Sequence, residues 1–444
     1  MKEQNRRLPA DSGPIPSKSG AGTPDHHTMT QRGWFILLTA YMLALVGFGL
    51  VYEPTRELWT GLLRIAQSPG VLISDYAKIG GLGAAMVNAG LVGLSGLLLV
   101  RTSGVLLSGP TIAAVFTLAG FGLFGKNVWS IWPIILGVGL FSRVVRRPFK
   151  SYILVALFGT ALAPLVTQVA FGFGLPPLPG LLVGTIAGLF AGFLLPPMAV
   201  YMLRLHQGFN LYNVGLTCGF LGIAITALLE SAGLKMTLAA HWSEQYSGIL
   251  GVVLLIYVLS MVVVGVYLTR GPGRMRSLVR EAGTLPSDFV EAHGAGTALI
   301  NMGLVGIIGW AYILMTGGVF NGPTLGAVLT MVGFAAFGKH VVNVLPIMLG
   351  VYLGSLLSVW QPGQAGPLLA ALFGTTLAPL SGRFGPPLGV LSGVIHLTMV
   401  MRTAPWHAGL NLYNNGFAGG VTATLIVSVI TWWSSWHEEH LIKR

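Results

Sequence analysis

The stretch "SGILGVVLLIYVLSMVVVGVYL" (247–268) runs for twenty-two residues without a charge. A helix needs roughly twenty apolar residues to cross about 30 Å of hydrocarbon. Inside lipid, every backbone N–H and C=O must also be satisfied within the protein, which leaves only helices and closed barrels as spanning structures. A run this long, with no period-two alternation, is therefore a membrane-spanning helix. "GWFILLTAYMLALVGFGLVY" (33–52) is a second such run. Only 9% of the 444 residues are charged and 53% are hydrophobic, where a soluble domain carries roughly a quarter charged residues. The rest of the chain has to be read as a polytopic membrane protein.

The net charge of +12 does not point to nucleic acid, because the basic residues sit in loops flanking apolar runs, where they set topology. The polar, Pro/Gly/Ser-rich segment 1–32 is expected to be a disordered cytoplasmic tail. The first apolar run begins too late and is too long for a cleaved signal, so it is expected to stay as an anchor. Cys218 is the single cysteine, which excludes an internal disulfide and any multi-cysteine metal site.

The chain repeats itself in four blocks taken in the same order. "SDYAKIGGLGAAMVNAGLVG" (74–93) matches "SDFVEAHGAGTALINMGLVG" (287–306), and "GPTIAAVFTLAGFGLFGKNVWSIWPIILG" (109–137) matches "GPTLGAVLTMVGFAAFGKHVVNVLPIMLG" (322–350). "ALFGTALAPL" (156–165) matches "ALFGTTLAPL" (371–380), and "HQGFNLYNVG" (206–215) matches "HAGLNLYNNG" (407–416). The reading is two membrane repeats, 33–231 and 247–432, joined by a linker at 232–246 and followed by a short cytoplasmic tail at 433–444. Apolar segments in the first unit fall at 33–52, 82–100, 109–125, 128–142, 151–173, 178–203 and 209–230. Seven is odd, so the second unit enters the membrane from the other side. The loops agree: Arg143, Arg146, Arg147 and Lys150 form a basic cluster, whereas the corresponding "SVWQPGQAG" (358–366) has no charge. Arg270, Arg274, Arg276 and Arg280 form the other basic loop. Both termini then lie in the cytoplasm, and the chain is expected in a bacterial inner membrane. The segments 109–125 and 128–142 are short for a crossing and could form a re-entrant hairpin, which leaves the parity unchanged. The expected fold is all-α and integral to the membrane, with about 12 to 14 transmembrane or re-entrant helices in two inverted repeats.

Placed on a helix, His206, Asn210 and Asn213, and likewise His407, Asn411 and Asn414, make a polar stripe at i, i+4, i+7. Such a stripe will not face lipid. It lines a solute path, or it ties neighbouring helices together by hydrogen bonds. Asn88 and Asn301 recur in mid-segment and are further candidates for solute contact. Lys126 and Lys339 close the "FGKN" and "FGKH" phrases, where they could attract an anion or serve as ordinary helix-end or snorkelling lysines. Asp75 and Asp288, in repeated "SD" pairs, fit N-caps, with ion coupling as the alternative. Thr160 and Thr375 precede Pro164 and Pro379, which break any helix there. Interrupted segments at corresponding places in two inverted halves are the best sequence pointer to a transporter's site. No catalytic constellation, phosphate loop, dinucleotide fingerprint or metal motif is present, and no cofactor is implied.

The phrases "NAGLVG", "GPTIAAVFTLAGFGLFGKN" and "GFNLYNVGL" resemble those of an uncharacterised bacterial membrane-protein family of unknown function, over most of residues 70–432. That resemblance implies no activity. The scheme is also similar to that of urea transporters, which implies a passage near a pseudo-two-fold axis lined by helix N-termini, threonines and aromatic slots. The chain departs from that family in having more segments per unit and no "L-P-x-x-T-x-P-F" phrase; Pro110 and Thr111, or Pro323 and Thr324, stand in loosely comparable places.

The function expected is a transporter or channel for a small polar or anionic solute, with its site at the repeat interface and passive or weakly coupled movement. Two other classes remain open. A sensor or scaffold would hold a partner through the tail and basic loops. An enzyme on a lipid-linked substrate would use His206 or His407 as base. The expected partners are the solute and the bilayer, not nucleic acid; self-assembly is left open.

Overall fold

The computed structural model describes residues 29–236 and 240–441. Seven helices carry the first half: α1 (Gln31–Tyr52), α2 (Leu82–Thr102), α3 (Gly109–Gly122), α4 (Ile131–Val144), α5 (Phe149–Phe171), α6 (Pro177–His206) and α7 (Asn213–Ser231). Seven carry the second: α8 (Ser247–Thr269), α9 (Ala295–Met315), α10 (Gly322–Phe334), α11 (Val341–Leu356), α12 (Ala365–Phe384), α13 (Pro386–His407) and α14 (Asn414–Leu441). Ten are long and apolar enough to cross a membrane; α3, α4, α10 and α11 are shorter. The chain is a multi-pass, all-helical membrane protein.

Packing within each half follows one scheme. The α1–α2 pair in the first half matches α8–α9 in the second, and α4–α6 matches α11–α13. Glycines set these contacts, because in lipid helices associate through close backbone approach rather than through a hydrophobic driving force. A Cβ placed on Gly137 of α4 would lie 2.2 Å from the carbonyl oxygen of Leu189, and one on Gly350 of α11 would lie 2.0 Å from that of Val390. No side chain fits in either place.

The halves meet along two self-matching pairs, α3 with α10 and α7 with α14. Gly109 abuts Ala336, Gly120 abuts Gly326, and Gly322 abuts Leu123, so α3 and α10 run antiparallel. Each begins with a reciprocal cap: Ser108 with Thr111, and Asn321 with Thr324, followed by proline in the first turn. α5 and α12 are each interrupted by a 3-10 turn, at Thr160–Leu162 and Thr375–Leu377, with Pro164 and Pro379 opening the continuation. The breaks therefore stand where the paired prolines place them.

Several expectations are corrected in detail. The repeated phrase at 206–215 is not one helix. α6 ends at His206, Gln207 has φ 50° and Gly208 φ 85°, and α7 starts only at Asn213. Left-handed backbone at two successive residues ends the helix, and the Asn side chains then bond to backbone rather than extending it. An amphipathic helix, Thr55–Gln67, lies in a stretch assigned no structure from sequence. α14 runs on to Leu441, so the short tail expected at 433–444 is helical as far as Leu441. Of the expected N-terminal tail, residues 1–28 lie outside the described residues, and Gln31 already opens α1.

Candidate functional site

The two repeated polar phrases meet at the centre of the molecule. Asn210 Nδ2 donates to Gly416 O at 3.1 Å, and Asn411 Nδ2 donates to Gly215 O at 3.1 Å. His206 Nε2 lies 3.0 Å from Asn213 Oδ1, and His407 Nε2 lies 3.0 Å from Asn414 Oδ1. Asn213 and Asn414 donate in turn to Ala199 O and Val400 O. These amides tie the phrases to backbone carbonyls of neighbouring helices, Gly416 and Gly215 in the first turns of α14 and α7 and Ala199 and Val400 in α6 and α13, so that the buried amides are themselves satisfied. Asn88 and Asn301 do the same work elsewhere: Asn88 donates to Gly122 O and Lys126 O, and Asn301 to Ala335 O and Lys339 O, fixing the ends of α3 and α10. Of these candidates, Asn213 lines the cavity described below.

The lysines are fully buried. Lys126 Nζ donates to Thr160 Oγ1 at 2.7 Å and stands over the Phe121 ring. Lys339 Nζ donates to Thr375 Oγ1 at 2.7 Å and to Tyr212 Oη at 2.6 Å, over the rings of Tyr212 and Phe334. Thus the structure brings each candidate lysine to a candidate threonine at a helix break. Between them runs an aromatic row. Phe121 and Tyr413 have ring centres 4.7 Å apart, Tyr413 and Tyr212 5.1 Å, and Tyr212 and Phe334 4.5 Å. Sequence reasoning passed over the tyrosines, although both stand in the duplicated phrase. A tyrosine repeated next to an asparagine that caps a backbone was the available signal.

Against this row opens a cavity of about 640 Å³. Phe158, Phe334, Phe337, Tyr212 and Tyr413 contribute aromatic wall, and Lys150 is its single charged lining residue. Ser108, Pro110, Leu154 and Val155 on its walls are half-buried. The residues that correspond to them in the second half, Asn321, Pro323, Leu369 and Ala370, are buried. One side of the molecule is open and its counterpart is shut.

The aspartates mark the two sides. Asp288 Oδ2 accepts from the N–H of Gly109, the first residue of α3, at 3.0 Å, and Asp288 is half-buried. Asp75 accepts from the N–H of Gly322, the first residue of α10, and from Ser243 N, and is fully buried. Each "SD" pair therefore caps its own short helix and also a helix of the other half. On the shut side, residues from the inter-repeat segment add a seal: His241 N donates to Ile73 O, and Asn321 Nδ2 donates to Ser243 O. Burial pushes the Asp75 carboxyl up to about 6, against the pull of its N–H donors and Lys78. Among the described residues no cluster of His, Cys, Asp or Glu could hold a metal ion.

A family model described as "Protein of unknown function (DUF1576)" matches residues 54–231 and 271–432. The chain belongs to that family. Its two matched stretches fall on the two halves that share one packing scheme, and the family's description names no activity. No curated protein and no solved structure shows significant similarity to the chain, so the likeness of scheme to urea transporters carries no argument here.

Proposed function

We propose that this family member is a membrane transporter that moves a small solute by exposing the cavity beside Tyr212 and Tyr413 alternately to the two sides of the membrane. The observation that carries the reading is the unequal exposure of equivalent residues: Leu154 and Val155 border open space, while Leu369 and Ala370 are packed shut. Two halves of one design held in different states are what alternating access requires of an inverted repeat. The antiparallel α3–α10 pair and the reciprocal Asn210 and Asn411 bonds fit an inverted arrangement with its axis through the central tyrosines. The open mouth carries Lys150 beside the Arg143–Arg147 cluster, which by the positive-inside rule is the cytoplasmic face.

Single cysteines test the reading in reconstituted vesicles, on a Cys218→Ala background and with a membrane-impermeant maleimide. Leu154→Cys should label from the cytoplasmic face alone. Leu369→Cys should label slowly and from the opposite face alone, and cross-linking the open mouth should increase that labelling. Labelling of both cysteines from one face would end the proposal. Simultaneous, independent labelling from both faces would indicate a channel.

A further inference from the structure

Hydrogen-bond accounting on the cavity wall narrows what the cavity can hold. Most of its polar groups are already committed. Ser108 and Thr111 cap each other, Ser287 Oγ donates to Phe337 O, Asn213 is held by His206 and Ala199, and Tyr212 Oη accepts from Lys339. A sugar or urea needs several free donors and acceptors to replace its water, because a buried polar group left unpaired is destabilising. The wall does not offer them. A free cation is opposed as well, because no carboxylate lines the cavity and Lys339 Nζ already occupies the faces of Tyr212 and Phe334, at 4.6 and 5.3 Å.

Among the described residues two lining groups remain uncommitted, both at the mouth: Lys150 and the Ser151 hydroxyl, each exposed. On the inner wall the tyrosine hydroxyls are taken up: that of Tyr212 by Lys339, and that of Tyr413, 1% exposed, by Thr117 behind the wall. The polar groups that can meet a ligand therefore stand at one end of the cavity. The remainder of the lining is aliphatic and aromatic.

Resting on the transport reading of this cavity, we infer that its solute is an amphipathic organic monoanion, an apolar or aromatic body with one carboxylate-like group. The apolar body replaces water against Phe158, Phe334 and Phe337. The anion pairs with Lys150 and accepts from the Ser151 hydroxyl at the mouth.

The test is thermal unfolding of the detergent-purified full chain with benzoate, decanoate, acetate, benzylamine and glucose, since a ligand of the native state raises apparent stability saturably. Benzoate or decanoate should raise Tm, and acetate, benzylamine and glucose should not. A response to benzoate identifies soluble aromatic acids as the source, and one to decanoate alone identifies acyl chains. Lys150→Gln should weaken the response about fivefold, as for an exposed ion pair. Ser151→Ala should weaken it roughly three- to tenfold through one hydrogen bond. A response to glucose or benzylamine in place of the acids overturns the inference, as does no response to either acid. Because the cysteine experiment uses no ligand, such a failure would leave the transport reading to stand or fall separately.

Discussion

The ammonium nitrogen of Lys339 lies 2.6 Å from the hydroxyl oxygen of Tyr212. The corresponding residues of the other half, Lys126 and Tyr413, do not make this bond. Lys126 reaches Thr160 alone, and Tyr413 Oη turns to the Thr117 hydroxyl instead. The difference predicts unequal effects from the same substitution. Tyr212→Phe removes an acceptor from a buried lysine and should lower stability by about 1–3 kcal/mol. Tyr413→Phe removes only a neutral contact with Thr117 and should lower it by about 0.5–1.5 kcal/mol. Denaturation of the two variants side by side decides the matter; equal losses would show that the asymmetry has no energetic weight.

Asp75 gives a pH dependence of known sign. Its folded-state pKa, about 6, is raised above the ordinary value of 3.8 by burial. The folded state therefore holds the proton more tightly than the unfolded chain does. This contribution to stability is fully present below the unfolded value and is lost as pH rises through about 6. Melting curves across that window should show the wild type losing stability relative to Asp75→Asn. A relative gain would mean that the N–H groups of Ala77, Ser243 and Gly322 hold the ionised form.

Close approach at glycine sets the helix pairs, so a methyl group there should be costly. Gly137→Ala would force a Cβ against Leu189 O and should destabilise by about 1–3 kcal/mol. Gly47 in α1 has nothing within 4 Å of a built Cβ, so Gly47→Ala should be neutral or stabilising by roughly 0.5–1 kcal/mol. Yield and melting temperature in detergent measure both, and a reversed order would contradict the packing.

Asn88 and Asn301 are expected to act on stability, not on solute affinity. Each donates twice to carbonyls that end a short helix, and alanine leaves those carbonyls unpaired at about 1–3 kcal/mol. A binding assay beside the melting curve separates the roles. A variant of normal stability that no longer binds would return these amides to the solute path.

The apolar runs alone determined the helices. Each of the seven segments read from the first repeat is a helix with ends shifted by about one turn, because an apolar run in lipid must satisfy its backbone hydrogen bonds within itself. The duplication likewise showed which residues correspond, and the paired prolines located the breaks in α5 and α12. Sequence could not determine which polar groups were spent. Asn210 and Asn411 look the same whether they face a solute or a carbonyl, and only the meeting of two loops about two hundred residues apart supplies Gly416 O and Gly215 O as partners. Nor did the matching blocks of the two repeats reveal that one side stands open and the other shut. That difference lies between two packings of matching sequence, so it belongs to the tertiary structure alone, where Asp75 and Leu369 are buried and Asp288 and Leu154 are not.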